Sequence, residues 1–176
     1  PFAAHGNARP YAGRAGIRKM TMRLRLLLLI LLFVPALAGA AERIVPTGKG
    51  ALVQALKTAQ AGDVLRLMPG LYDGPVVIAL PLTLDGGGAA TIDGHETGSV
   101  VTVNAADVTL KGLTITGSGS AGDGLDAGIT LSKKADRAMV AQNRLLGNLV
   151  GIDVHGPNNA TLTGNVIEGR QGNRMN

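Results

Sequence analysis

Few side chains in this sequence are suited to chemistry, and they fall into three groups. Asp153 and His155 lie two residues apart, flanking an alternation in which Ile152 and Val154 point inward. Both therefore leave one strand on its outer face. A carboxylate–imidazole pair of this kind can hold a metal ion or move a proton. Two ligands on one strand need a third to make a site, however, and a solvated polar face is the simpler account of them. The second group is Asp123 and Asp126 in a Gly/Ser-rich stretch, with Lys133 and Lys134 a few residues on. Outward carboxylates beside a base can cleave or epimerise an acidic polysaccharide, but Asp-Gly is first of all a turn dipeptide. The third group is soft donors: Met68, Met139 and Met175 with His95 and His155. Thioether and imidazole suit copper(I), yet no M-x-x-M or H-x-x-x-H spacing is present. Met68 and Met139 read as core or turn packing, and His95 follows the turn dipeptide Asp93-Gly94. No catalytic or cofactor-binding residue is assigned. Asp153 and His155 remain the candidate metal pair.

These residues must be positioned by short strands. Glycine contributes 26 of 176 residues, and 45% of the chain is apolar. Abundant Gly, Val, Ile, Leu and Thr mean short strands and many tight turns. The formal charge of +5 belongs to the beginning of the chain. Six basic residues precede Ala41, whereas from Ala41 onward eleven basic residues face twelve acidic ones. No nucleic-acid footprint is left there. Tyr72 is the one aromatic residue after position 40, so stacking platforms for bases or sugars are missing as well. Cysteine is absent; neither a disulfide nor a thiolate metal site is available.

The chain divides into three parts. Residues 1–19 precede Met20 and are expected to be an upstream extension without a fold. Residues 20–40 read as a secretory signal peptide: a basic start at Arg23 and Arg25, nine apolar residues at 26–34, a break at Pro35, and small residues at Ala38 and Ala40. Nine apolar residues are too few to span a bilayer, which takes about 20. A periplasmic location follows. Residues 41–176 read as the N-terminal part of a coiled solenoid. Leu52, Val53, Leu56 and Ala59 form one apolar stripe of a helix at 50–61, placed where it would cap the first coil.

Beyond position 100 the pattern repeats. Val101 and Val103, Ile129 and Leu131, and Ile152 and Val154 alternate inward in three copies of one strand. A second strand type carries Val108, Leu110, Leu113 and Ile115, then Ala138, Val140, Asn143 and Leu145, then Ala160, Leu162, Asn165 and Ile167. Such strands cannot bury their faces alone. Stacked about 4.8 Å apart, they complete each other's hydrogen bonds and line up apolar columns. The expected fold is all-β, a right-handed parallel β-helix of about five coils, roughly 24 Å of stack. Asn143 and Asn165 are predicted to form an amide ladder at a turn, with Asn148 and the pair Asn158-Asn159 at other turns. The text stops in mid-coil, so further coils are expected after Asn176.

The succession of coils resembles a known family. It runs GDVLRLMPGLYDG at 62–74, LPLTLDG at 80–86, TIDG at 91–94, VTLKGLTITGSG at 108–119 and DAGI at 126–129. Its order and spacing are similar to the N-terminal part of the NosD family, periplasmic β-helix proteins of nitrous oxide reductase maturation. The resemblance implies an accessory factor without catalysis of its own. It would work beside the ATPase and membrane subunit of an ABC transporter, and with the reductase or a copper chaperone as a further partner. Copper is the one metal it implies, with no ligand set carried by a matching motif. The alternative on the same fold is a polysaccharide lyase, hydrolase or epimerase.

Overall fold

A computed structural model describes residues 40–120 and 125–170. The expected upstream extension at 1–19, the expected signal peptide at 20–40 except its last residue, Asp123 and Met175 lie outside them. Among the described residues there are thirteen strands and one helix, and no helix is long and apolar enough to cross a membrane.

The strands stack on three faces, all in parallel. One face holds β1 (Glu42–Val45), β2 (Val64–Leu67), the first half of β5 (Thr83–Asp93), the first half of β7 (Thr109–Thr116), β9 (Met139–Ala141) and β12 (Thr161–Thr163). The second holds β3 (Gly70–Asp73), the later halves of β5 and β7, β10 (Arg144–Asn148) and β13 (Val166–Gly169). The third holds β4 (Val76–Ile78), β6 (Val101–Val103), β8 (Ala127–Leu131) and β11 (Val150–Val154). This is a parallel β-helix of about five turns.

The apolar columns are the reason for the architecture. Val76, Val101, Ile129 and Ile152 are register partners on successive coils of the third face. Val101 and Ile129 are wholly buried, and Ile152 packs against the core. Leu65, Leu84, Leu110 and Val140 make the column of the first face, and Tyr72, Ile92, Ile115 and Leu145 that of the second. Each such side chain contributes about 1.5–3 kcal/mol on burial, and each shelters its neighbours above and below. Tyr72 adds a polar anchor: its hydroxyl lies 2.8 Å from the Val45 carbonyl and 2.9 Å from that of Met68, fastening the first turn.

Corners between the faces also repeat in register. Gly112, Gln142 and Gly164 have φ of 60°, 56° and 62°. Asp107, Arg137 and Asn159 have φ of 58°, 56° and 56°. Each set occupies one corner column, where a left-handed residue turns the chain from one face to the next. The residue after the first of these corners carries the predicted ladder. Asn143 Oδ1 accepts the Leu113 N–H (3.0 Å), and Asn165 Oδ1 accepts the Asn143 N–H (3.0 Å). The Nδ2 groups of Asn143 and Asn165 donate to the carbonyls of Leu110 and Val140. Asn148 is buried too. It accepts the Ser118 N–H and donates to the Ile115 carbonyl, so the turn it marks is a buried corner at the end of β10.

The helix α1 spans Ala51–Thr58, shorter than the expected 50–61. Gly50 is left-handed at its start and Ala59 already extended at its end. The apolar stripe holds: Leu52 is buried, and Val53, Leu56 and Ala59 pack against the core. The helix rests on β1, β3 and β4, covering the outermost strand of the third face.

Candidate functional site

Asp153 and His155 come together as the alternation requires. His155 Nε2 lies 2.5 Å from Asp153 Oδ2, and the His155 N–H donates to the Leu131 carbonyl (2.8 Å). Asp153 continues an outward row through its register partners Thr130, Thr102 and Val77. Its side chain is 13% exposed against 56% for His155, so the imidazole covers the carboxylate. Among the described residues no group of three His, Asp or Glu is placed to hold a metal ion. The arrangement is a hydrogen-bonded carboxylate–imidazole pair on the outer face of one strand.

A second pair was not foreseen. Asp73 and Asp93 end β3 and β5 as register partners on successive coils. His95, left-handed at φ 52°, folds back over them. Its Nε2 is 3.0 Å from Asp73 Oδ1, its Nδ1 is 3.9 Å from Asp93 Oδ2, and its N–H donates to Asp93 Oδ1 (2.8 Å). Asp73 Oδ2 also accepts the N–H of Gly50 at the start of α1 (3.2 Å). The bond from His95, then that from Gly50, holds the Asp73 carboxyl below its ordinary range. Gly48, Lys49 and Leu71 complete the rim of this hollow, about 550 Å3 in volume. The signal was present in the repeated Asp-Gly at 73–74 and 93–94, but only the coil register brings these two carboxylates together.

The remaining candidates stay apart. Asp126 and the pair Lys133 and Lys134 lie at opposite ends of the five-residue strand β8, about 17 Å of extended chain. That distance is too long for one catalytic carboxylate–base set. Met68 lies in the turn after β2, 47% exposed, in keeping with a turn residue. Met139 differs from the expectation of core or turn packing. It starts β9 pointing outward and is 44% exposed, because its neighbour Val140 takes the inward position. Strands β2 and β9 are three stacking steps apart on the first face, about 14 Å, so these two thioethers share no ion.

The outer surface carries ordered rows instead. Arg66, Asp85 and Lys111 are register partners on the first face. Lys111 Nζ is 3.1 Å from Asp85 Oδ2, and Arg66 Nε donates to Glu42 Oε1 (2.7 Å). Burial pushes the Asp85 carboxyl up, but the Gly87 N–H and Lys111 outweigh it and keep the group below its ordinary range. Thr83 and Thr109, Thr91 and Thr114, and Thr102 and Thr130 pair along the outer surface of the three faces. Such a surface is stiff, polar and repetitive, suited to protein contact.

The fold defines the class: a parallel β-helix protein. The chain superposes on the PL6 family alginate lyase AlyGC with a TM-score of 0.51 at 18% identity, covering 71% of this chain and 19% of that one. In sequence it is 32% identical over 109 residues to the "Probable ABC transporter binding protein NosD" of Stutzerimonas stutzeri. That match covers 62% of this chain, and the chain spans a quarter of the length of that relative. The chain is thus a distant homologue of NosD over a fragment-sized stretch. No family model matches it.

Proposed function

We propose that this chain is part of a periplasmic accessory factor for assembly of the copper centre of nitrous oxide reductase, acting beside an ABC transporter as a protein-binding β-helix. The carrying observation is the 32% identity with a protein named as an ABC transporter binding protein. The ordered outer rows support a docking role, since solenoids present long rigid surfaces to partners. Copper enters as cargo of the pathway and not through a ligand set in the described residues. The test is deletion of the gene in its host. Reductase purified from the deletion strain is expected to lack its catalytic copper spectrum and its activity. A normal spectrum with full activity sinks the proposal.

The likeness to an alginate lyase concerns the fold, and fold does not settle chemistry. The separation of Asp126 from Lys133 and Lys134 speaks against polysaccharide cleavage at that loop. Full-length protein incubated with alginate or pectate is expected to release no unsaturated ends. Turnover that disappears in Asp126→Asn would establish the lyase reading instead.

A further inference from the structure

The strands that α1 rests on are protected unequally. Charge, proline or a covering element ordinarily guards an outermost strand. β1 carries Glu42 and Arg43. The Arg43 guanidinium donates to the Thr58 carbonyl (2.9 Å) and to the Thr58 hydroxyl (2.8 Å), which ties this strand to the helix. β3 is fastened to the start of α1 by the bond from Gly50 to Asp73. β4 has less. It consists of Val76, Val77 and Ile78, without a charge, and only Pro75 stands ahead of it. Among the described strands it pairs with β6 alone. Val76 donates its N–H to the Val100 carbonyl, and the Ile78 carbonyl accepts the Asn104 N–H. In a parallel ladder the residue between two such partners sends its own N–H and C=O to the opposite edge. Those of Val77 therefore point away from β6, to the side of α1.

The helix does not close on that edge. A cleft of about 310 Å3 is left between them, lined by Val53 and Leu56 of α1 and by Pro75, Val77 and Leu80 along the strand. Lys57, exposed in the last turn of α1, is the one charged residue of its lining. We propose that this cleft is a docking site for an extended, apolar peptide segment of a partner protein, one that carries a carboxylate. Each part of that description answers a feature of the site. An open strand edge offers a donor and an acceptor to another extended chain, which adds to the sheet as a further strand. The apolar walls take the alternate side chains of that chain. Lys57 favours a negative group on it. The cleft would take such a segment whether or not the chain serves reductase assembly.

The test is fluorescence anisotropy on the full-length protein. One probe is a dye-labelled peptide of alternating valine and threonine that ends in a free carboxylate, and the other is the same peptide ended as an amide. The carboxylate form is expected to bind roughly three- to fivefold tighter. Lys57→Glu changes an exposed side chain, and should erase that preference while leaving the amide form's binding unaltered. Val77→Pro deletes the free donor and spares the bonds to β6, so both peptides should bind about tenfold more weakly. Hydrogen exchange gives a readout without any substitution: saturation with the peptide should slow exchange of the Val77 amide at least about tenfold. Several results overturn the proposal. One is no binding of either peptide, or binding that Val77→Pro leaves unchanged in a variant with an unaltered thermal midpoint. Another is a Val77 amide already protected before peptide is added: protection that fades on dilution assigns the cleft to a second copy, and protection that persists assigns it to the chain itself. A third is binding of decanoate where the peptides do not bind, which assigns the cleft to an acyl chain.

Discussion

At the level of single residues, buried amides and carboxylates tie neighbouring segments of the stack together. Asn143 satisfies the Leu113 N–H and the Leu110 carbonyl inside the corner, and is almost wholly buried. Asn143→Ala leaves both groups without partners, at a cost of about 2–4 kcal/mol. Urea denaturation should show this as a lower midpoint with an unchanged slope. Asp63 is the second such residue. Its carboxylate accepts the N–H groups of Gln60 (2.9 Å) and Ala41 (3.2 Å), with Arg43 3.6 Å away. The bond from Gln60, then that from Ala41, lowers its pKa against the opposing effect of burial. A carboxyl with a lowered folded pKa contributes stability above the unfolded value, and loses that contribution as pH falls from about 4 through the folded value. Thermal melts from pH 5 downward should therefore fall less steeply for Asp63→Asn than for the unaltered protein. Asp73, Asp85 and Asp107 keep part of the acid sensitivity, because their pKa values are lowered too.

At the level of elements, two features decide whether the coils stack. One is the cap. Leu52 is the buried anchor of α1, and Leu52→Ala should cost about 2–5 kcal/mol, read from the same denaturation curve. The other is close approach between coils. A Cβ on Gly86 would come within 2.4 Å of the Gly112 carbonyl oxygen, where β5 bends over β7. Gly86→Ala must push the two coils apart, and a loss of about 1–3 kcal/mol is expected. Gly87→Ala next to it meets no atom but is left-handed, so it isolates backbone strain from collision. A Gly86 variant no worse than the Gly87 variant would show that the coils are not in this contact.

At the level of the whole molecule, stability is held by columns that run through the stack and not by any covalent tie. The sequence has no cysteine. Thermal unfolding with and without a thiol reductant should give the same midpoint, and a shift would mean that some other oxidation-sensitive group holds the fold. A solenoid's stability is close to a sum of coil and interface contributions, so a cavity in a middle column weakens two interfaces at once. The same repetition leaves every outward row straight and evenly spaced, the property a docking surface uses.

Much of this was legible in the residues because the stacking period is written in them. The columns through Val101, Ile129 and Ile152, the ladder from Asn143 to Asn165 and the apolar stripe of α1 are each fixed by a local rule: alternation, a repeated offset, or a helical stripe. By itself the sequence determined the coil repeat and which side chains face inward. What it left undecided was which outward residues meet across coils. His95 reaches Asp73 twenty-two residues earlier in the chain, and Asp126 stands a whole strand away from Lys133 and Lys134. Only the tertiary structure decided those outcomes, because a side chain's neighbour in a β-helix is set by the length of the intervening coil. Loops of unequal length shift that partner without leaving a mark on the alternation.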